Sequence, residues 1–380
     1  MKIYKKAILP KGFLANGVAC GIKKIGKLDL ALFYSEVPAK AGALFTCNAV
    51  KAAPIKINKK NLKISRSFKA VLVNSGNANA FTGKMGIKDA ESISKELAHI
   101  CKIEEKNILL ASTGIIGKRL PQDKIKRSLA FLLKGLSRTG ITKAKQAILT
   151  TDTFFKDLTV KFKMGKQIIT LCAVGKGAGM IAPHLATMLV FIFTDAYISQ
   201  SALNQALRQA VALSFNCITV DGCMSTNDTV IILANGQAKN PLIQKNQPAY
   251  KKFTQALIKL CQELAKLIVK DGEGATKFIS IKVEQARDFY EARRVGLSVA
   301  NSNLFKSAVY GENPNWGRIV AAVGSVQMDN FEEEKLKIKA STLKSKNIDI
   351  TIQLGRGKAA AQVYTTDITP KYIKINASYN

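Results

Sequence analysis

Histidine occurs only twice, at His99 and His184, tryptophan once, at Trp316, and acidic residues number 26 against 58 lysines and arginines. Each scarcity excludes something. Two histidines and seven scattered cysteines (20, 47, 101, 172, 217, 223 and 261), with no CxxC pair, do not supply the roughly four ligands of a structural zinc site. No metal is expected. The odd number of cysteines fits free thiols in a reducing cytoplasm better than a disulfide framework. The most apolar stretch, 180–194, contains Pro183 and His184 and is too short to span a membrane. At the start, MKIYKKAILPKGF is basic, but Pro10 and Lys11 interrupt the apolar core that a secretion signal needs. A GxSxG nucleophile motif is also missing.

What is abundant is positive charge, a formal +32. A nucleic-acid-binding protein is therefore one reading, to be tested by a salt-dependent shift on DNA or RNA. Against it, the lysines are spread along the chain without a run of five, and aromatic residues make up 7%. No helix-turn-helix, RNA-recognition or zinc-finger pattern is present. A solvated, lysine-rich surface that also attracts small anions accounts for the charge more simply.

Hydrophobic patterning predicts strands at 29–37 and 70–81, a helix at 89–100 capped by Asp89, and a hairpin over 158–174 turning at Met164-Gly165. A helix follows at 201–215, with Leu203, Leu207 and Val211 on one face, then a strand at 229–236. The longest helix, 250–274, carries a Phe253, Leu257, Leu260, Leu264, Ile268 stripe and a stop at Gly272. The alternating TKFISIKV segment reads as a strand, and 349–369 as a late hairpin turning at GRG. Mixed elements with recurrent hairpins point to an α+β fold with mixed, largely antiparallel sheets rather than a doubly wound parallel sheet. There is no internal repeat, and composition marks no domain boundary.

Two local features carry candidate chemistry. GKGAG (175–179) follows a strand, yet Met180 stands where a dinucleotide fingerprint needs glycine, and Gly177 where a P-loop needs serine or threonine. What remains is a tight turn offering amides and the Lys176 ammonium, which suits a carboxylate. Thr187, in APHLATMLVF, places a hydroxyl just ahead of an apolar run. On spacing alone it reads as a buried structural residue. As a nucleophile without a histidine it needs another base, and an N-terminal threonine has one in its own α-amine, with a pKa near ~8. That requires cleavage of the Ala186–Thr187 bond.

KGAGMIAPHLATMLVFIFTDA (176–196) resembles the self-cleavage segment of the ornithine acetyltransferase, or glutamate N-acetyltransferase, family. PKGFLANGVACGIKKIGKLDLAL, VKAAP, VNSGNANAFTG, ASTGIIG, ILTTDT, SFNCITVDGCMSTNDT, DGEGATK, NPNWGRIVAAVG and YIKINASY resemble further motifs of that family, in order, over nearly the whole chain. The resemblance implies an α/β sandwich, cleaved into an α chain of residues 1–186 and a β chain of 187–380. The two chains remain intertwined, commonly as α2β2. By position, Thr187 matches the nucleophile, Ala186 and Thr187 the cleavage site, and Thr113 and Gly114 the oxyanion hole. Thr150, Lys176, Thr187, Glu273 and Asn376 match substrate-binding positions. Residues alone would leave Glu273 a solvated carboxylate past a helix end.

The implied activity is acetyl transfer from N2-acetylornithine to glutamate in arginine biosynthesis, with no cofactor. Acetyl-CoA is a candidate second donor, and the expected location is cytoplasmic. Lys176 is expected to hold the α-carboxylate that both amino acids share, and Glu273 to face an ammonium. The rival within the same architecture is a self-cleaving hydrolase or aminopeptidase, in which water replaces glutamate; the full set of motifs argues against it. The chain departs from the family at Cys223 and Met224, where Asp and Thr are usual, and at TDIT, where CDLT is usual. It also ends at Asn380, one residue before a hydroxyl found in relatives, so that contact is expected to be absent.

Overall fold

The computed structural model describes residues 1–182 and 188–378. Ala186, Thr187, His184 and the terminal Asn380 lie outside the described residues. The first part of the chain forms β1 (Lys2–Tyr4), β2 (Phe13–Val18), β3 (Leu30–Phe45), α1 (Ala53–Ile64), β4 (Phe68–Asn77) and α2 (Gly83–Cys101). β5 (Ile108–Ile115), α3 (Gln122–Lys134), α4 (Ile141–Ala147), β6 (Lys156–Met164) and β7 (Gln167–Lys176) follow. Then come β8 (Leu189–Thr194), α5 (Gln200–Ala212), β9 (Thr229–Ala234) and α6 (Pro248–Lys270).

Alternation along the strands explains the layering, because successive side chains point to opposite faces. Phe33, Val71, Val73 and Leu109 of β3, β4 and β5 pack against Val174, Phe191, Phe193 and Ile231 of β7, β8 and β9 in one dry core. Phe33 lies 5.2 Å from Phe191 and 5.0 Å from Phe193 between ring centroids. The alternate residues Leu30, Leu32, Leu72 and Leu110 face α1, α2 and α3. On the other side, Val160, Leu171, Val190 and Ile232 face α5 and α6. The result is helices, sheet, sheet, helices, with β3 changing partners along its length: residues 30–39 pair with β4, and residues 40–45 with β9.

The last part of the chain builds a smaller sheet from β10 (Phe278–Ala286), β11 (Lys337–Ala340), β12 (Asn347–Gln353) and β13 (Ala359–Thr366). It is backed by α7 (Phe289–Asn301), α8 (Asn303–Tyr310) and α9 (Gly317–Gly324), with α10 (Pro370–Ala377) at the end. Among the described residues three strand pairs are parallel (β4–β5, β8–β9 and β10–β12) and the others antiparallel. The mixed α+β fold read from the sequence is therefore present, as is the 158–174 hairpin, where β6 pairs β7 up to Met164 and Gln167.

Two local expectations need correction. The 349–369 segment is not a hairpin: β10 lies between β12 and β13, parallel to one and antiparallel to the other. Asp89 does not cap a helix. α2 starts at Gly83, and Asp89 is buried within it, accepting two hydrogen bonds from the Arg119 guanidinium at 2.9 and 2.6 Å. α6 ends at Lys270 with Asp271 as its cap, so Gly272 stands just past the cap, where a stopping glycine is expected.

Candidate active site

One end of the two facing sheets carries the polar residues. The apolar run of β5 gives way to Ser112-Thr113-Gly114, and β7 ends at Lys176. β6, β8 and β9 begin at the same end, preceded by residues 150–155, Met188 and residues 225–228. Strand ends leave backbone groups and side chains free to serve a ligand, which is why sites gather there. Thr113, Gly114, Thr150, Lys176, Glu273 and Asn376 line a single cleft. Six of the residues predicted from the sequence thus come together from five separate segments. Thr187 lies outside the described residues, but its successor is fixed: Met188 N–H donates to Asp228 Oδ1 at 2.8 Å, and Leu189 is the cross-strand partner of Lys176.

Gly114 is required by backbone approach. Its φ is +135°, and a Cβ there would lie 2.3 Å from the Gly76 carbonyl carbon. The bulge between β4 and β5 at this point turns Thr113 and Gly114 toward the cleft. Asn227 clamps it: its buried amide donates to Ala78 O at 2.6 Å and Ser112 O at 2.8 Å.

Lys176 is 2% exposed. Its ammonium donates to Thr150 Oγ1 at 2.6 Å and to Thr113 Oγ1 at 3.3 Å. Burial pushes its pKa down, and Asp152 opposes that shift. Asp152 itself is buried, which disfavours its charge, but the Lys176 and Lys156 ammoniums and donated hydrogen bonds hold its carboxyl well below the usual carboxylate range.

The glycine-rich loop differs from expectation in what its amides serve. Gly177 N–H donates to Asp152 Oδ1 at 2.7 Å, and Met180 and Ile181 N–H donate to the Asp221 carboxylate at 2.6 and 2.9 Å. The loop does bind carboxylates, but these are the chain's own. Gly179 has a different purpose: a Cβ there would fall 2.2 Å from Glu273 Oε2, so the absent side chain makes room for that carboxylate. Glu273 Oε2 in turn accepts from Asn376 Nδ2 at 2.9 Å.

Asp152, Asn227 and Asp228 were not singled out in the sequence. Asp152 sits inside TTDT, and Asn227 and Asp228 inside STNDT, both segments that carry the family resemblance. Asp228 is fully buried, and desolvation raises its pKa well above the carboxylate norm. Among the described residues no group of three or more His, Cys, Asp or Glu is arranged to hold a metal ion.

A family model described as the ArgJ family matches residues 14–380. The arginine biosynthesis bifunctional protein ArgJ of Caldanaerobacter subterraneus subsp. tengcongensis is 42% identical over 398 residues, spanning 98% of this chain and 98% of that protein. The protein of the same name from Geobacter sulfurreducens is 42% identical over 389 residues, spanning 97% of this chain and 99% of its own. Among solved structures, ornithine acetyltransferase complexed with ornithine from Mycobacterium tuberculosis is 35% identical, covering 48% of this chain and 97% of its own, with a TM-score of 0.45.

Proposed function

We propose, from the premise that this chain belongs to the ArgJ family, how its residues move an acetyl group. The reaction is transfer of acetyl from N2-acetylornithine to glutamate in arginine biosynthesis, by an N-acetyltransferase with an N-terminal nucleophile freed by self-cleavage. The cleavage falls between Ala186 and Thr187, giving chains 1–186 and 187–380 that stay associated, as α2β2.

In the first half-reaction Thr187 Oγ attacks the acetyl carbonyl carbon of acetylornithine while its own α-amine takes the hydroxyl proton. An α-amine, with a pKa near ~8, is matched to that task at neutral pH, whereas the amide nitrogen of an uncut chain is not basic. Negative charge builds on the carbonyl oxygen and is met by the Thr113 hydroxyl and Gly114 N–H. The C–N bond then breaks, the α-amine passes its proton to the departing nitrogen, and ornithine leaves an acetyl ester on Thr187. In the second half the glutamate amine attacks that ester, and the proton it sheds returns to the Thr187 oxygen through the same α-amine. Acetyl-CoA enters the same ester as a second donor, with its thiol as leaving group.

Both amino acids carry an α-carboxylate, held at Lys176 and Thr150. An ammonium has three donors; two serve Thr150 and Thr113, and one is left for the substrate. Glu273, braced by Asn376, faces the side-chain ammonium of ornithine. The observation that carries this reading is the convergence of Thr113, Gly114, Thr150, Lys176, Glu273 and Asn376 on one cleft from segments far apart in the chain. We assign the enzyme to the cytoplasm, since all seven cysteines are free thiols. Among the described residues no helix is long and apolar enough to cross a membrane. The test is to incubate the enzyme with carbonyl-labelled acetylornithine, quench with acid and map the label. It is expected on Thr187 and absent in Thr187→Ala; label elsewhere contradicts the assignment.

A further inference from the structure

Beneath the cleft Lys176 leads into a chain of buried charges, Asp152, Lys156 and Asp271, that the mechanism above does not use. Lys176 approaches Asp152 Oδ2 at 4.0 Å; Asp152 Oδ1 accepts from Lys156 Nζ; and Lys156 Nζ also donates to Asp271, the cap of α6. Lys156 and Asp152 are fully buried, and Lys176 and Asp271 nearly so. Asp152 further accepts the Thr150 and Gly177 amides, at 3.0 and 2.7 Å. A buried pair of this kind is a poor stability device, because desolvation cancels most of the attraction. Its position beside the cleft suggests another use.

An ammonium can only donate hydrogen bonds, so a hydroxyl that accepts from it must turn its own hydrogen elsewhere. Lys176 donates to both Thr113 Oγ1 and Thr150 Oγ1. Among the described residues neither hydroxyl donates to a protein acceptor, and both line the cleft. Charged Lys176 therefore leaves both hydroxyl hydrogens available to an oxygen in the cleft. A neutral amine would offer a lone pair, and one of the hydroxyls would turn inward to it. The direction of the Thr113 hydrogen thus depends on the charge of Lys176, which burial opposes.

We infer that Asp152 and Lys156 are positioning residues of the transfer reaction: Asp152 keeps Lys176 charged, Lys156 limits that effect, and together they decide whether Thr113 points its hydrogen at the developing oxyanion. This rests on the cleft being the acyl-transfer site. The charged and titratable groups facing Lys176 are Asp152 from the approach to β6, Lys156 at its first position, Glu273 after α6, Asp228 before β9 and Lys23 from the loop after β2. Asp152, Glu273 and Asp228 favour its charge; Lys156 and Lys23 oppose it.

The two positioning residues have opposite signs, and this separates the inference from a structural role. In Asp152→Asn, which keeps the side-chain shape, Lys176 loses its main counter-charge and deprotonates at lower pH. The alkaline limb of the kcat profile is expected to move down by about one to three pH units, with kcat falling more than KM rises. In Lys156→Gln, Lys176 loses a like charge, and the same limb is expected to move up. Limbs that stay in place, or that move in the same direction in both variants, overturn the inference.

A second measurement does not depend on activity. In protein carrying 13Cε-lysine, the Lys176 resonance, identified by its loss in Lys176→Met, is expected to titrate at lower pH in Asp152→Asn and at higher pH in Lys156→Gln than in the parent. Identical titration in the parent and in the folded variants overturns the inference even if one variant fails to fold. If the parent transfers no acetyl group, the reading of the cleft fails, while the resonance still decides whether these residues set the charge of Lys176.

Discussion

Asn376 Nδ2 donates to Glu273 Oε2 at 2.9 Å, tying an exposed residue of the last helix to a carboxylate that rests against Gly179. The C-terminal helix is thereby part of the cleft. Asn376→Ala removes this hydrogen bond, worth about 0.5–1.5 kcal/mol, together with one to Tyr372 O in its own helix, and is expected to raise KM several-fold with kcat less changed. Glu273→Gln removes the charge proposed to face ornithine and is expected to raise KM for acetylornithine by about tenfold, and more than for glutamate. Gly179→Ala puts a methyl group into the Glu273 carboxylate and is expected to reproduce that pattern. Steady-state kinetics with each substrate checks all three; equal effects on both substrates would move Glu273 away from the ornithine side chain.

The proposed oxyanion pair, Thr113 and Gly114, is expected to act in two reactions. Thr113→Ala is expected to lower kcat by about 10²-fold or more, and to slow self-cleavage, since both pass through a tetrahedral oxyanion. Gly114→Ala is different. At φ +135° with backbone 2.3 Å away, the added methyl cannot be accommodated without moving β4 from β5. It is expected to cost about 2 kcal/mol or more of stability as well as activity. Thermal melts alongside rate measurements separate the two, with Thr113→Ala retaining the parental Tm.

A single nucleophile serving two amino acids predicts ping-pong kinetics. Initial rates at varied acetylornithine and glutamate are expected to give parallel double-reciprocal lines. Intersecting lines, with no acetyl mass on the chain beginning at Thr187, would favour direct transfer.

Lys306 makes a stability prediction away from the cleft. It is buried in α8 and donates to Val220 O at 2.7 Å, Thr365 Oγ1 at 3.0 Å and Thr366 O at 2.6 Å. Burial pulls its pKa down to about 8, against 10.5 for a free lysine. Between those values the unfolded chain binds the proton more tightly than the folded one, so this group's contribution to stability rises with pH across that window. Lys306→Met is expected to be less stable than the parent, with a gap that widens by about 1.4 kcal/mol per pH unit from pH 8 upward. Denaturant melts at pH 7, 8 and 9 test this; a constant gap would show that Lys306 keeps its proton when folded.

The elements were largely legible in the sequence because their signals are local. The Leu203, Leu207, Val211 stripe and the Met164-Gly165 turn each need only their neighbours to be recognised. Partner choice is not local. β12 and β13 have the alternation and the turn glycines of a hairpin, yet β10, about sixty residues earlier, inserts between them. Asp89 reads as a cap from its neighbours, but Arg119, thirty residues on, takes it into the interior. The cleft follows the same rule. Lys176 with its loop and the Thr187 hydroxyl drew notice by residue type; Thr113, Gly114, Thr150, Glu273 and Asn376 entered through family resemblance, because nothing in their own surroundings shows that they meet. Asp152 carried a faint signal, an acidic residue between two threonines in a chain poor in acids.

The central claim is that Thr187 becomes an N-terminus and carries the acetyl group. Intact mass and N-terminal sequencing of the active, purified enzyme test it most directly. Two chains are expected, one beginning at Met1 and ending at Ala186, the other beginning at Thr187 and gaining one acetyl mass after brief exposure to acetylornithine without glutamate. A single uncut chain with full transferase activity would contradict it.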